Sequence, residues 1–167
     1  MITTKEMITP GQIEPRNDMA IFMEDYGDQL WAFDVDDPTI VLESQPDGSW
    51  ERCAENLSEF LTHNALHESA HTAPFWRASS NVPDSKLPEI LTKMQQVSFN
   101  GWLWPRPGHQ IFLGEGIIAD IGPAMKNQSP WENHRGYTEV QIGATNSELL
   151  DHLDEMRDIK WLRPLFG

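Results

Sequence analysis

Three imidazoles stand at His63, His67 and His71 in the run His-Asn-Ala-Leu-His-Glu-Ser-Ala-His. Histidines four residues apart are the spacing at which one helix offers two nitrogens to a single metal ion. On a helix rising about 1.5 Å per residue, His63 and His71 begin roughly 12 Å apart along the axis. A zinc ion with bonds of about 2.0–2.1 Å can therefore take His63 with His67, or His67 with His71, but not all three. The remaining ligands must come from other elements, and His109, His134 and His152 stand in no ligand-like spacing. His67-Glu68-Ser69-Ala70-His71 has the His-Glu-x-x-His spacing of zinc hydrolases, but no third ligand stands at a recognisable spacing from it. The row is thus expected on the polar flank of a half-buried helix, with no metal. A metal-dependent hydrolase using His63, His67 and His71 with an acid from elsewhere is the alternative.

The other chemical patterns are weaker. Gly114-Glu115-Gly116-Ile117-Ile118-Ala119 matches the loose dinucleotide signature, but a phosphate loop must open a helix, and the β-branched continuation to Gly122-Pro123 predicts a hairpin turn. Asp34, Asp36 and Asp37 lack the glycine that a calcium loop places at its sixth position, where Thr39 stands, so they read as an exposed loop. Cys53 is alone, falls in a predicted strand and reads as a buried structural thiol. Trp31, Trp50, Trp102, Trp104 and Trp161 lie on or beside predicted strands and read as core. No catalytic residue and no cofactor site emerge from these patterns.

The elements that must carry these residues follow from periodicity and punctuation. Residues 19–35 alternate around a Tyr-Gly-Asp turn, which predicts a hairpin, and Thr39–Ser44 and Ser49–Cys53 add two strands across Pro46-Asp47-Gly48. Asn56 three residues before Glu59 is a capping box, and Leu57, Phe60, Leu61, Asn64, Ala65 and Glu68 form one face of a helix running to His71. Residues 75–86 read as a connector, and Leu87–Gln96 as a shorter helix. Strands are expected over residues 97–105, in the segment His109–Gly122 and over Gly136–Ala144, followed by a final helix from Asn146 or Ser147 through Asp158. This order predicts an α+β fold with a mostly antiparallel central sheet and helices packed on it. A single domain spans residues 1–167, divided into 1–73 and 74–167.

Charge bounds the partners. With 26 acids against 12 bases, phosphate backbones are excluded as natural ligands. The imbalance is uneven, because residues 1–72 hold 15 of the acids and only Lys5, Arg16 and Arg52 among the bases. Such a field attracts a basic protein and speeds its encounter. No apolar run approaches a membrane span of about 20 residues, no leader-like segment opens the chain, and one cysteine permits no internal disulfide, so the cytoplasm is the expected compartment.

Taken in order, Phe22-x-Glu24-Asp25-x-Gly27, Trp31 in the returning strand, Asp36-Asp37-Pro38, the strand through Val41, the Asp47-Gly48-Ser49-Trp50 turn and Leu57-Ser58-Glu59-Phe60-Leu61 opening a helix resemble the SUKH superfamily. That superfamily includes fungal cell-wall regulators and many bacterial immunity proteins. The resemblance covers residues 19–71 and extends more weakly into residues 104–121 and 137–153. Members commonly begin with one or two helices, so the resemblance implies a front that is reduced here. It also implies a non-catalytic α+β domain, without cofactor, that binds and blocks a cognate toxin, frequently a nuclease. Glu24, Asp25, Asp28, Asp34, Asp36 and Asp37 are then the expected electrostatic contacts to a basic toxin, with Tyr26 as an aromatic anchor. A SUKH-type intracellular regulatory scaffold is the further alternative.

Overall fold

In a computed structural model of the chain, residues 5–16, 18–25, 29–98, 108–126 and 132–164 are described. They form an α+β protein with two antiparallel sheets and three α-helices, and they divide into two compact units, one built mainly of the chain through Asn64 and the other of the chain from Ala65 onward. The boundary falls inside the main helix rather than at residue 73, and two sheets stand where one central sheet was expected. No helix among the described residues is long and apolar enough to cross a membrane.

The first unit is an antiparallel sheet in the order β1 (Lys5–Met7), β3 (Met19–Asp25), β4 (Leu30–Asp34), β5 (Ile40–Ser44) and β6 (Trp50–Asn56), with the two-residue β2 (Pro15–Arg16) also paired to β3. The expected hairpin and the two following strands are therefore present. Residues directly opposite in an antiparallel pair share a face, and Met23 opposite Trp31 puts two fully buried side chains side by side. Helix α1 (Leu57–Thr72) begins directly after β6. Its capping box is reciprocal: the Glu59 N–H donates to Asn56 Oδ1 at 3.0 Å, and the Asn56 N–H donates to Glu59 Oε2 at 3.2 Å. Phe60 then packs edge-on to Phe22 and against Trp31, with ring centroids 5.7 and 6.2 Å apart. This aromatic group anchors the first half of α1.

The second unit has the strand order β7 (Phe75–Pro83), β11 (Asn133–Ala144), β10 (Ile117–Met125), β9 (Gln110–Gly114) and β8 (Gln95–Gln96). One face of this sheet carries Ala119, Ile121, Val140, Ile142 and Val82, packed with Leu150, Leu153, Met156 and Ile159 from the C-terminal segment. The other carries Ile111 and Ile118, packed with Ala70 of α1.

Residues 75–83 are not a connector but strand β7, because β11 supplies a pairing edge from Tyr137 to Ala144, with one register shift, and Pro83 stops it. The helix expected to Gln96 is only α2 (Leu87–Ile90), and Gln95–Gln96 pair instead with β9. The C-terminal helix is a 3₁₀ turn over Ser147–Leu150 running into α3 (Asp151–Asp154). Asp154, the last residue of α3, is held by Arg77 of β7 through two 2.8 Å hydrogen bonds. Most of the strand expected over residues 97–105, with Trp102 and Trp104, lies outside the described residues.

Candidate functional site

Asp120 sits in the middle of β10, within the apolar run Ile117-Ile118-Ala119-Asp120-Ile121, and its side chain is 1% exposed. An ionised carboxylate there costs several kcal/mol unless donors surround it. Three imidazoles supply them. His67 Nδ1 donates to Asp120 Oδ2 at 2.6 Å, His71 Nε2 donates to the same oxygen at 3.3 Å, and His109 Nδ1 donates to Oδ1 at 3.0 Å. Burial pushes the carboxyl up, but the hydrogen bonds from His109, His67 and His71 together outweigh it and hold the group well below the usual carboxylate range.

Local backbone features make the convergence possible. His67 and His71 lie one turn apart on α1, with rings 4.3 Å apart, and Ala70 between them faces the sheet. Gly143 of β11 lets the helix come this close: a Cβ there would lie 2.6 Å from Ala73 Cβ and 2.8 Å from the Ala70 carbonyl oxygen. Gly122 of β10 does the same for His109, whose ring occupies the space a Cβ would need, 2.3 Å from Nε2. In return, His109 Nε2 is buried with no hydrogen-bond partner among the described residues. Such an orphaned nitrogen costs about 1–3 kcal/mol.

His63 does not join this cluster. It belongs to the first unit, where its Nδ1 lies 2.5 Å from Glu55 Oε1 and both side chains are buried. Burial, assisted by the neighbouring Glu59, pushes the Glu55 carboxyl up to about 7. The histidine row is thus not the polar flank of α1. The buried line runs Phe60, His63, Asn64, His67, Ala70, because each buried imidazole meets a buried carboxylate that a pattern of apolar residues does not register. His134 and His152 are elsewhere, on Asn81 and on the Ile90 carbonyl.

Among the expected acidic contacts, Glu24 pairs with Leu30 at the turn end of the β3–β4 hairpin, while Asp34 pairs with Met19 at the opposite end. Four strand steps, about 13 Å, separate them. Glu24 and Asp25 therefore form one acidic locus and Asp34, Asp36 and Asp37 another. Tyr26 and Asp28 lie outside the described residues. The second locus is the exposed loop expected, with Asp34 half-buried at its root and folded by its own carboxylates. Asp34 Oδ1 accepts the N–H groups of Asp36 and Asp37, and Asp37 Oδ1 accepts both the N–H and the hydroxyl of Thr39, which lowers the Asp37 carboxyl.

A further acidic feature arises from strand register, which residue spacing does not display. Glu6 of β1 stands directly opposite Glu24, both exposed, and Glu43 of β5 stands directly opposite Glu51 of β6. Like charges so placed destabilise a sheet.

Gly114–Gly116 is a hairpin turn with Gly116 at φ +70°, as the sequence predicts, and Cys53 is a buried strand thiol. A groove of about 1190 Å³ in the second unit is lined by Lys86, Lys93, Glu115, His152, Glu155 and Asp158 among others, and includes none of the Asp120 cluster. No family model matches the chain, nor does any curated protein or solved structure.

Proposed function

We propose that this chain is a non-catalytic protein-binding module of the SUKH immunity type, holding a basic, nuclease-type toxin against its acidic first unit. The supporting observation is the concentration of acidic residues in this unit. The chain through Asn64 has 14 acids against three bases, and two acid pairs, Glu6 with Glu24 and Glu43 with Glu51, stand directly opposite each other in the sheet. A sheet selected for stability alone would place a lysine in such pairs. A cationic partner relieves the repulsion, and a nuclease must present a cationic surface to bind its own substrate. Its acidic loci occupy that surface in the place of phosphate.

The test is capture from a lysate of the source organism with the full tagged chain at about 50 and 200 mM salt. The reading expects one basic protein, retained at low salt and released at moderate salt, that is toxic when expressed alone and harmless when co-expressed with this chain. A captured protein that is acidic, or whose retention does not change with salt, contradicts it.

A further inference from the structure

We infer that His67, His71 and Asp120 form a binding site for a divalent transition metal ion of the zinc type, with His109 as the group that orients the carboxylate. The donors are two imidazole nitrogens and one carboxylate oxygen, all within 4.8 Å of one another. This set suits zinc and its neighbours, whereas calcium and magnesium take oxygen ligands. Bonds of about 2.0–2.1 Å in tetrahedral geometry place ligand atoms about 3.3–3.4 Å apart. His71 Nε2 and Asp120 Oδ2 already stand 3.3 Å apart. His67 Nδ1 and Asp120 Oδ2, at 2.6 Å, hold a hydrogen bond and must separate by about 0.7 Å as the ion replaces the proton between them.

The surroundings are those of a metal site. His67 and His71 are on one helical turn and Asp120 is on a strand interior, so the ligands come from rigid elements. Asp120 offers Oδ2 to the ion while Oδ1 is held by His109, the kind of outer hydrogen bond that fixes a ligating carboxylate. His109 makes this bond with its ring packed against Gly122, and its other nitrogen finds no partner among the described residues. The side chains of His67 and His71 keep 11% and 17% exposure, which leaves an entry path and a fourth position for water.

The experiment uses the full chain carrying a tag without histidines, stripped with a chelator and titrated with Zn²⁺ by calorimetry and with Co²⁺ by visible absorption. One equivalent of Zn²⁺ is expected to bind and to displace Co²⁺ from a low-symmetry site with a visible band. His71→Ala, at the more exposed ligand, abolishes the one-to-one binding, His134→Ala leaves it unchanged, and His109→Gln weakens it about 10–100-fold. Absence of one-to-one binding in the unaltered chain, or unchanged affinity in a folded His71→Ala chain, overturns the assignment. Should His71→Ala not fold, paramagnetic shifts in the Co²⁺-loaded unaltered chain decide: shifted His67 and His71 resonances support the site, and shifts confined to His134 or His152 overturn it.

Discussion

Replacing Gly122 by alanine tests the packing that holds the histidine cluster. The new Cβ would lie 2.3 Å from His109 Nε2, 2.5 Å from Cε1 and 2.6 Å from Cδ2, all in one buried ring. Ordinary contact requires about 3.5 Å, so the ring must retreat by roughly 1 Å. That displacement stretches the 3.0 Å bond from His109 Nδ1 to Asp120 Oδ1 beyond hydrogen-bonding distance. Overpacking costs about 1–3 kcal/mol, and a lost hydrogen bond to a charged group about 1.5–3 kcal/mol, so a loss of about 2.5–6 kcal/mol is expected. The comparison is Gly11→Ala, where a Cβ meets nothing within 4 Å and the alanine stabilises by about 0.4–1 kcal/mol through the unfolded chain. Urea unfolding of both variants at pH 7 measures the difference, with nitrogen-detected imidazole spectra reporting the His109 tautomer. Equal midpoints for the two variants, or an unchanged His109 signal in Gly122→Ala, would refute this account of the cluster.

Three further outcomes follow from other buried groups. Because the Glu55 carboxyl is raised to about 7 in the fold, its contribution is fully present below its unfolded value near 4.5 and lost as pH rises through 7. Stability should therefore fall by at most about 3 kcal/mol across that window and by less in Glu55→Gln, measured by urea unfolding at half-unit pH steps. Arg77→Lys loses the two-point grip on Asp154 and should cost about 1–2 kcal/mol, with Asp154→Asn additive to it only in part in a double-mutant cycle. The Cys53 thiol is pushed up to about 12 by burial and by Glu43 and Glu55, so a disulfide reagent at pH 8 should modify the native chain about a thousandfold more slowly than the urea-unfolded one.

Local rules carried parts of both units well. The Asn56–Glu59 box, the hairpin of residues 19–34 and the turn at Gly116 all depend on neighbouring residues, and all stand where the sequence puts them. Strand β7 was illegible because Ser79, Ser80 and Asn81 have little strand preference, and only pairing with β11, some sixty residues on, makes them one. The cluster was half legible. His67 with His71 and an acid from another element is what the spacing allows, but His109 gave no signal, since it approaches only through the register of β9 with β10. One clue was present: a lone Asp120 inside an apolar strand run implies buried donors, and histidines were ring N–H donors in reach. The expected acidic contacts divide into two loci because a hairpin places its turn and its following loop at opposite ends.

The most direct measurement of the central claim uses the pair Glu6→Gln and Glu24→Gln in one chain, read in two ways. Removing two directly opposed charges should raise folding stability by about 0.2–1 kcal/mol. The same change should weaken the captured basic partner and flatten the decline of its affinity with salt. Stability up with affinity down is the predicted result, because the proposed cationic partner would pair with the two carboxylates that the substitutions remove. Unchanged affinity and unchanged salt dependence in the stabilised variant would contradict the acidic surface as the binding face.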